Sequence, residues 1–132
     1  MSFKFTSFTN IQINNCKAIG IIWSNANNPV SLNFKESRIS FSSFYGKNLK
    51  KAQFINCVAD EVDFTECNLV MASFEGTELR NAKFSNTDLS KASFLGAKDF
   101  FINPNTNKLK QAKFHLQEAL SFLSFLEIEI VD

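Results

Sequence analysis

No surplus of either charge marks this 132-residue chain: fourteen Lys and Arg stand against thirteen Asp and Glu, for a net charge of +1 and a pI near 7.7. A chain holding nucleic acid by bulk charge would be strongly basic and an imitation of DNA strongly acidic, so neither is expected. No apolar run approaches the roughly 18 residues of a membrane span. The start, MSFKFTSFTN, lacks the charged and apolar segments of a signal peptide, so the chain is expected in the cytoplasm with no membrane partner. Cys16, Cys57 and Cys67 form an odd set without a CxxC pair, which indicates neither a disulfide framework nor a zinc site; they read as small, reduced, buried residues. GxxxxGKS, GxGxxG, HExxH and GxSxG are all missing, so no cofactor is expected and catalysis lacks its usual marks. The single His115 lies between Phe114 and Leu116 with Glu118 three residues on, the arrangement of a helix start with a capping box. The length suits one domain and is too small for two independent cores.

What is abundant is phenylalanine, sixteen residues beside one Trp, one Tyr, four Gly and two Pro. Counting in fives from Phe34 gives Phe34, Ile39, Phe44, Leu49, Phe54, Ala59, Phe64, Leu69, Phe74, Leu79, Phe84, Leu89 and Phe94, every one apolar. With 45% apolar residues overall, such a run arises by chance on the order of once in 10⁴ to 10⁵ trials. Two places earlier lies a mostly small set: Leu32, Ser37, Ser42, Lys47, Ala52, Cys57, Val62, Cys67, Ala72, Thr77, Ala82, Thr87 and Ala92. The places between are mainly polar.

A period of five fits neither the 3.6 of a helix nor the 2 of a strand. If the chain turns a corner after every unit, each large residue points to a common axis, and four units close a coil. Coils stacked by parallel pairing at about 4.8 Å place residue n beside n+20. Phe34, Phe54, Phe74 and Phe94 then form one column, and Phe44, Phe64 and Phe84 the facing one. Leu49, Leu69 and Leu89 face Ile39, Ala59 and Leu79, so every level repeats the same contacts.

The units AQFIN, VDFTE, CNLVM, ASFEG, AKFSN, TDLSK and ASFLG resemble the pentapeptide-repeat family over residues 32 to 97. The resemblance implies an all-β fold, a right-handed quadrilateral β-helix, and some members carry a C-terminal helical cap and a dimer contact at that end. It also brings in the quinolone-resistance members that act on DNA gyrase, which makes gyrase one candidate partner; their acidic imitation of DNA is not matched by this near-neutral chain.

At the N-terminal side Phe8, Ile13, Ala18 and Trp23 keep the spacing, but Trp23 to Phe34 is eleven residues, so one residue is inserted within SNANNPVSL. The chain therefore divides into coils over 3–97 with a loop insertion near 24–31, an irregular wrap over 98–115 in which Leu109, Ala112 and Phe114 fit the spacing again, and a cap over 116–132. In the cap, Leu116, Ala119, Leu120, Leu123 and Leu126 share one face of an α-helix, followed by the alternation Glu127-Ile128-Glu129-Ile130 of a short strand. The stripe Leu116, Leu120, Leu123 would cover the open coil end, leaving Phe122 and Phe125 off the stripe beside the edge formed by Ile128 and Ile130. Those four residues are the expected contact of a homodimer.

Folded at twenty residues per coil, Asp60 stacks on Arg80, Asp63 on Lys83 and Glu78 on Lys98, an expectation of cross-coil ion pairs on a solvated wall. Lys47 occupies a small inward position and must bend out or find a partner. With Lys50, Lys51 and Lys91 it would form a basic rim around Val70 and Met71, the candidate interaction surface. The leading expectation is a non-catalytic module, a rigid rod binding a protein partner; alternatives are a gyrase-directed protein, an enzyme or accessory unit with a site in the SNANNP or INPNTN loop, and direct nucleic-acid binding through the Lys rim.

Overall fold

In a single five-residue unit of the repeat every backbone donor finds an acceptor. In the unit around Leu69, the Asn68 N–H donates to Lys47 O of the preceding coil at 3.0 Å. Leu69 and Met71 donate to Asp88 O and Ser90 O of the following coil at 2.8 and 3.0 Å. The Val70 N–H is taken by the Asn68 side chain at 3.1 Å, and the Ala72 N–H closes the turn on Leu69 O at 3.0 Å. The polar residue before the large one is thus an acceptor for its own corner, the role Asn48, Asp63, Ser73 and Asp88 repeat, whereas Arg38, Val58 and Lys83 at the same place have no side-chain acceptor to offer. The corner itself requires a positive φ two residues after the large position, and this recurs without a break from Glu36 through Gly96.

The computed structural model describes residues 11–25, 32–129 and 131. Parallel pairing runs along four ladders: Asn33–Gln53–Ser73–Ser93–Lys113, Lys17–Arg38–Val58–Glu78–Lys98, Ile22–Ser43–Asp63–Lys83 and Asn48–Asn68–Asp88–Lys108. On the first of these walls the pairing is long enough to make strands, β1 (Ile11–Asn14), β2 (Leu32–Lys35) and β3 (Gln53–Ile55), in a parallel sheet ordered β1-β2-β3. Ile11 pairs with Leu32 and Lys17 with Arg38, an offset of twenty-one, whereas Phe34 pairs with Phe54, an offset of twenty. The extra residue lies where the eleven-residue gap places it; the loop itself, 26–31, and residues 1–10 lie outside the described residues, Phe8 with them.

All thirteen large positions from Phe34 to Phe94 are buried. Within each Phe column the rings stack nearly parallel, as Phe44 on Phe64 at 5.4 Å and 2°, while rings of the facing columns meet edge-on, as Phe64 with Phe74 at 5.4 Å and 85°. Trp23 extends one column above Phe44 and Phe114 the other below Phe94. Each buried ring removes enough apolar surface to contribute about 1.5–3 kcal/mol, and the edge contacts add to it.

Polar residues at the small inward positions are part of the wall. Ser37, Ser42, Thr77 and Thr87 are buried, and each hydroxyl donates to a carbonyl of the preceding coil, such as Thr87 to Phe64 O at 2.7 Å. Where a corner has no turn bond, a side chain of the next coil takes its N–H: Cys16 donates to Ser37, Ile21 to Ser42, Cys57 to Thr77 and Thr87 to Asn107, at 3.0–3.2 Å. Asn107 also donates to Phe84 O, so it plugs the last open corner. Cys57 and Cys67 are buried and free; Cys16 is only half-buried, against the expectation for all three.

The ladder resumes at Lys108 and Lys113, which confines the irregular part of the 98–115 segment to 99–107. Pro104 stands twenty residues after Phe84, where no ring follows. Phe100 occupies the gap instead, touching Phe94 and Phe114, with Ile102 buried beside it.

The cap departs from expectation. Helix α1 spans Leu116–Ala119, with the Glu118 carboxylate accepting the His115 N–H at 3.2 Å, and then tightens into a 3₁₀ helix over Leu120–Leu126. At three residues per turn, Ala119, Phe122 and Phe125 share a face, and it is this face that meets the preceding chain: Phe122 packs on Phe114 at 4.9 Å and Phe125 on the largely exposed Phe101 of the wrap at 5.5 Å. The expected stripe is corrected in part, since Leu116 is 80% and Leu120 51% exposed while Leu123 is half-buried. No strand forms over the described part of 127–131: Glu127 turns left-handed at φ 52 and Ile128 is exposed without ladder partners. Ile130 lies outside the described residues.

Candidate interaction surface

Four corner columns run the length of the rod, and one differs from the rest. A positive φ is free for Gly and tolerable for Asn but costs other residues about 1–2 kcal/mol each. Three corners relieve this at some level, with Asn56, Gly76 and Gly96 in one, Gly20 and Asn81 in the second, Gly46 and Asn86 in the third. Among the described residues the fourth never does. It carries Lys51, Met71, Lys91 and Gln111, at φ 66, 61, 60 and 60. The rungs stack directly, through Lys51 N–H to Val70 O (2.9 Å), Met71 N–H to Ser90 O (3.0 Å) and Lys91 N–H to Lys110 O (2.8 Å). Long side chains are therefore held here at every level against the backbone's preference.

Beside them stand Lys50, Val70, Ser90 and Lys110. Lys50, Lys51, Lys91 and Lys110 are exposed, Val70 is half-buried and Met71 is 42% exposed. The edge carries four ammonium groups, no carboxylate and an apolar gap between its cations. Acidic side chains gather elsewhere: Asp60, Glu61, Asp63 and Glu66 lie on the wall of the Ser43–Asp63–Lys83 ladder and its two corners. There Tyr45 donates to the Glu66 carboxylate, and this bond, followed by the Glu66 charge, raises the Tyr45 phenol above its ordinary value. The net charge of +1 thus conceals a basic edge and a separate acidic wall.

The family model for the pentapeptide repeat region matches residues 31–98. The chain belongs to the pentapeptide repeat family. Solved structures of similar fold include a pentapeptide repeat protein from the Arabidopsis thaliana thylakoid lumen, with a TM-score of 0.64 at 16% identity over 84% of this chain and 77% of that one. HetL, a pentapeptide repeat protein involved in heterocyst differentiation regulation from Nostoc sp. strain PCC 7120, matches at 24% identity over 73% of this chain and 40% of that one, with a TM-score of 0.44. QnrB1, a plasmid-mediated fluoroquinolone resistance protein, matches at 18% identity over 98% of this chain and 96% of that one, with a TM-score of 0.26. No curated protein sequence matches the chain.

Within this pentapeptide repeat rod, Lys50, Lys51, Val70, Met71 and Lys91 are brought together as the sequence places them, and Lys47 is not. Lys47 keeps its inward position and is 2% exposed, with burial lowering the pKa of its amine; it is no part of the rim. Its column is polar at every level, Lys47, Cys67, Thr87 and Asn107, with the Cys67 thiol donating to Phe44 O at 2.9 Å and burial pushing that thiol up to about 12. Lys110 was missed by sequence reasoning, although it stands twenty residues after Ser90 and follows Leu109, which keeps the spacing.

A polar groove of about 530 Å³ follows the neighbouring wall, lined among others by Asn68, Asn86, Asp88, Asn105 and Lys108. Several of its polar side chains serve the fold. Asn68 and Asp88 cap their own corners, and Asn107 plugs the last one. Partial burial works against the Asp88 charge, but the bonds from Ser90 and the Lys108 charge outweigh it and hold the carboxyl below its usual range. Among the described residues no group of three or more His, Cys, Asp or Glu could hold a metal, and no helix is long and apolar enough to cross a membrane. Among the described residues the three expected cross-coil ion pairs give way to one, Arg80 with Asp99 at 3.6 Å. The Asp63 carboxylate instead accepts the Thr65 N–H at 2.9 Å, which serves its corner.

Proposed function

We propose that this chain is a non-catalytic protein-interaction module, a rigid right-handed quadrilateral β-helix that engages a protein partner in the cytoplasm through its Lys51–Met71–Lys91 edge. The family supports the rod, and one observation carries the choice of edge: it is the corner at which long side chains replace Gly and Asn at every described level. The other corners mix such residues, Glu36, Phe41, Glu61 and Glu66, with Gly and Asn, and a corner that keeps them at every level against backbone preference points to function rather than folding. The segregated charge supports the same reading, since a one-signed edge steers an oppositely charged partner. A gyrase-directed form is less well served, because the acidic wall is one coil deep and shares its ladder with Lys83 and its corner with Arg80.

Immobilised chain and a Lys51→Glu, Lys91→Glu variant should be compared for proteins retained from the native host. The expected result is a specific protein retained by the wild type and by a Glu61→Lys control but lost by the double variant. Equal retention by both would remove the edge from the interaction.

A second reading, self-association through the cap, is favoured by the exposed Leu116, Leu120, Leu126 and Ile128. Its contact differs from that expected of Phe122 and Phe125, whose rings are used inside the chain. Light scattering should give a dimer that a Leu116→Ser, Leu120→Ser variant converts to a folded monomer; a monomeric wild type ends this reading.

A further inference from the structure

The edge repeats once per coil, and its repeat distance selects the shape of what binds it. Consecutive rungs are joined by backbone hydrogen bonds, so Lys51, Met71, Lys91 and the Lys110 beside Gln111 stand at successive levels. From Lys51 these levels lie at about 4.8, 9.6 and 14.4 Å along the rod. An α-helix laid along the edge offers side chains from one face at i, i+3, i+7 and i+10, rising by about 4.5, 10.5 and 15 Å, within about 1 Å of every rung. An extended strand offers one face at i, i+2, i+4 and i+6, at about 6.7, 13 and 20 Å, and is out of register by the second rung.

Resting on the reading that this edge is the contact surface, we infer that its partner presents an acidic amphipathic α-helix with the stripe acid, apolar, acid, acid at i, i+3, i+7 and i+10. The first acid meets Lys51 with Lys50 beside it. The apolar residue meets Met71 and Val70, and the last two acids meet Lys91 and Lys110. The central thioether separates this surface from a nucleic-acid track. A phosphate backbone places charge at every step and has no use for an apolar level between cations, and the edge has no aromatic on which a base could stack. Apolar contact at the middle rung with charge on both sides is the pattern of a helix seated by its face.

The test uses a labelled, helix-stabilised peptide with Glu, Leu, Glu and Glu at i, i+3, i+7 and i+10, followed by anisotropy at low salt. Comparison probes are the same composition with a central Pro and a duplex DNA of matching length. The expected result is saturable binding of the helix, at least tenfold weaker binding of the Pro peptide, and weakening as salt rises. Lys51→Asn, Met71→Asn, Lys91→Asn should abolish at least nine-tenths of the affinity while raising the melting temperature, because Asn suits a positive φ better than the residues it replaces. The rise certifies that the variant is folded. Binding of the Pro peptide or of DNA as tight as that of the helix, or unaltered binding by the triple variant, overturns the inference. If no peptide binds while the host protein is still lost by the Lys51→Glu, Lys91→Glu variant, the helical partner falls and the edge stands.

Discussion

The coils over residues 32–97 and the segment after them are built from the same kinds of residue to opposite effect. In the coils every residue at the fivefold large position is buried, while Phe41, Tyr45 and Met71 at other places of the unit are exposed, and the N–H groups around Leu69 all have named acceptors, because position in the unit dictates which way each atom points. Over 99–107 and again after Phe114 the unit is gone, and rings are placed by whatever space remains: Phe100 fills a gap left at Pro104, Phe122 tilts onto Phe114, and Leu116 and Leu120 face water. Periodicity converts composition into burial. Where it lapses, the same apolar content leaves a half-buried layer with large exposed side chains.

The largest expected difference is therefore between rings of the two regions. Phe64→Ala removes a ring stacked between Phe44 and Phe84 and touching Phe54 and Phe74. Its neighbours are fixed by hydrogen-bonded coils and cannot close the space, so the cost should be about 3–5 kcal/mol and unfold the whole rod. Phe122→Ala, on the half-buried layer, should cost clearly less. Chemical denaturation gives the magnitudes, and hydrogen exchange should show lost protection confined to residues after 98 for Phe122→Ala. Equal costs would mean that the cap is as tightly packed as the coils.

The next effect separates a buried hydroxyl from an exposed one. Thr77 accepts the Cys57 N–H and donates to Phe54 O inside the wall, so Thr77→Val strands both and should cost about 1–3 kcal/mol. Ser124 donates to Ser121 O on the exposed 3₁₀ helix, where water can replace it, and Ser124→Ala should be near neutral. Thermal denaturation of both variants checks the contrast.

How much of this was legible in the sequence divides along the same line. The fivefold spacing yields the columns, the pairing offset and the single inserted residue before Leu32, since each follows from counting. It hides the positive-φ corners, because Lys51, Met71 and Phe41 look nothing like turn residues; only the ladder's geometry imposes that conformation on them. It hides Asn107, which acts as a Thr87 equivalent one coil on but lies after the pattern breaks. It misplaces the cap, because a stripe counted at 3.6 residues per turn turns away from the core once the helix tightens to three. The basic edge was half legible: Lys50, Lys51 and Lys91 follow from register, while the inward fate of Lys47 is a matter of packing.

A pH dependence sharpens the contrast between buried and half-buried thiols. Cys67 lies inside the rod, where burial raises its thiol from 9.0 to about 12. A raised folded value means the protonated form is the one favoured by folding. Its contribution is complete below about pH 9, where the unfolded thiol is still protonated, and fades as pH climbs toward 12. Relative to Cys67→Ala, the wild type should lose stability only above about pH 9. A difference that is constant from neutral to alkaline pH would place Cys67 in water. Thiol labelling without denaturant should reach half-buried Cys16 first and Cys67 last.

The smallest effect lies at the boundary between the two regions. Arg80 belongs to the last complete coil and Asp99 to the first residues beyond it, so their 3.6 Å pair joins ladder to wrap where backbone pairing is interrupted between Lys98 and Lys108. Both side chains are well exposed, 70% and 60%, so solvent screens the attraction and holding two mobile side chains offsets part of the gain. Such a pair contributes about 0–1 kcal/mol. Reversing either charge should cost no more than that, and reversing both should recover most of the loss, with a coupling that shrinks as salt rises. The control is Asp60, which stands one coil before Arg80 without an ion pair to it. A double reversal of Asp60 and Arg80 should show no such recovery. If coupling appears for Asp60 instead of Asp99, the coil and not the wrap holds the arginine, and the wrap is then fastened by Phe100 and Asn107 alone.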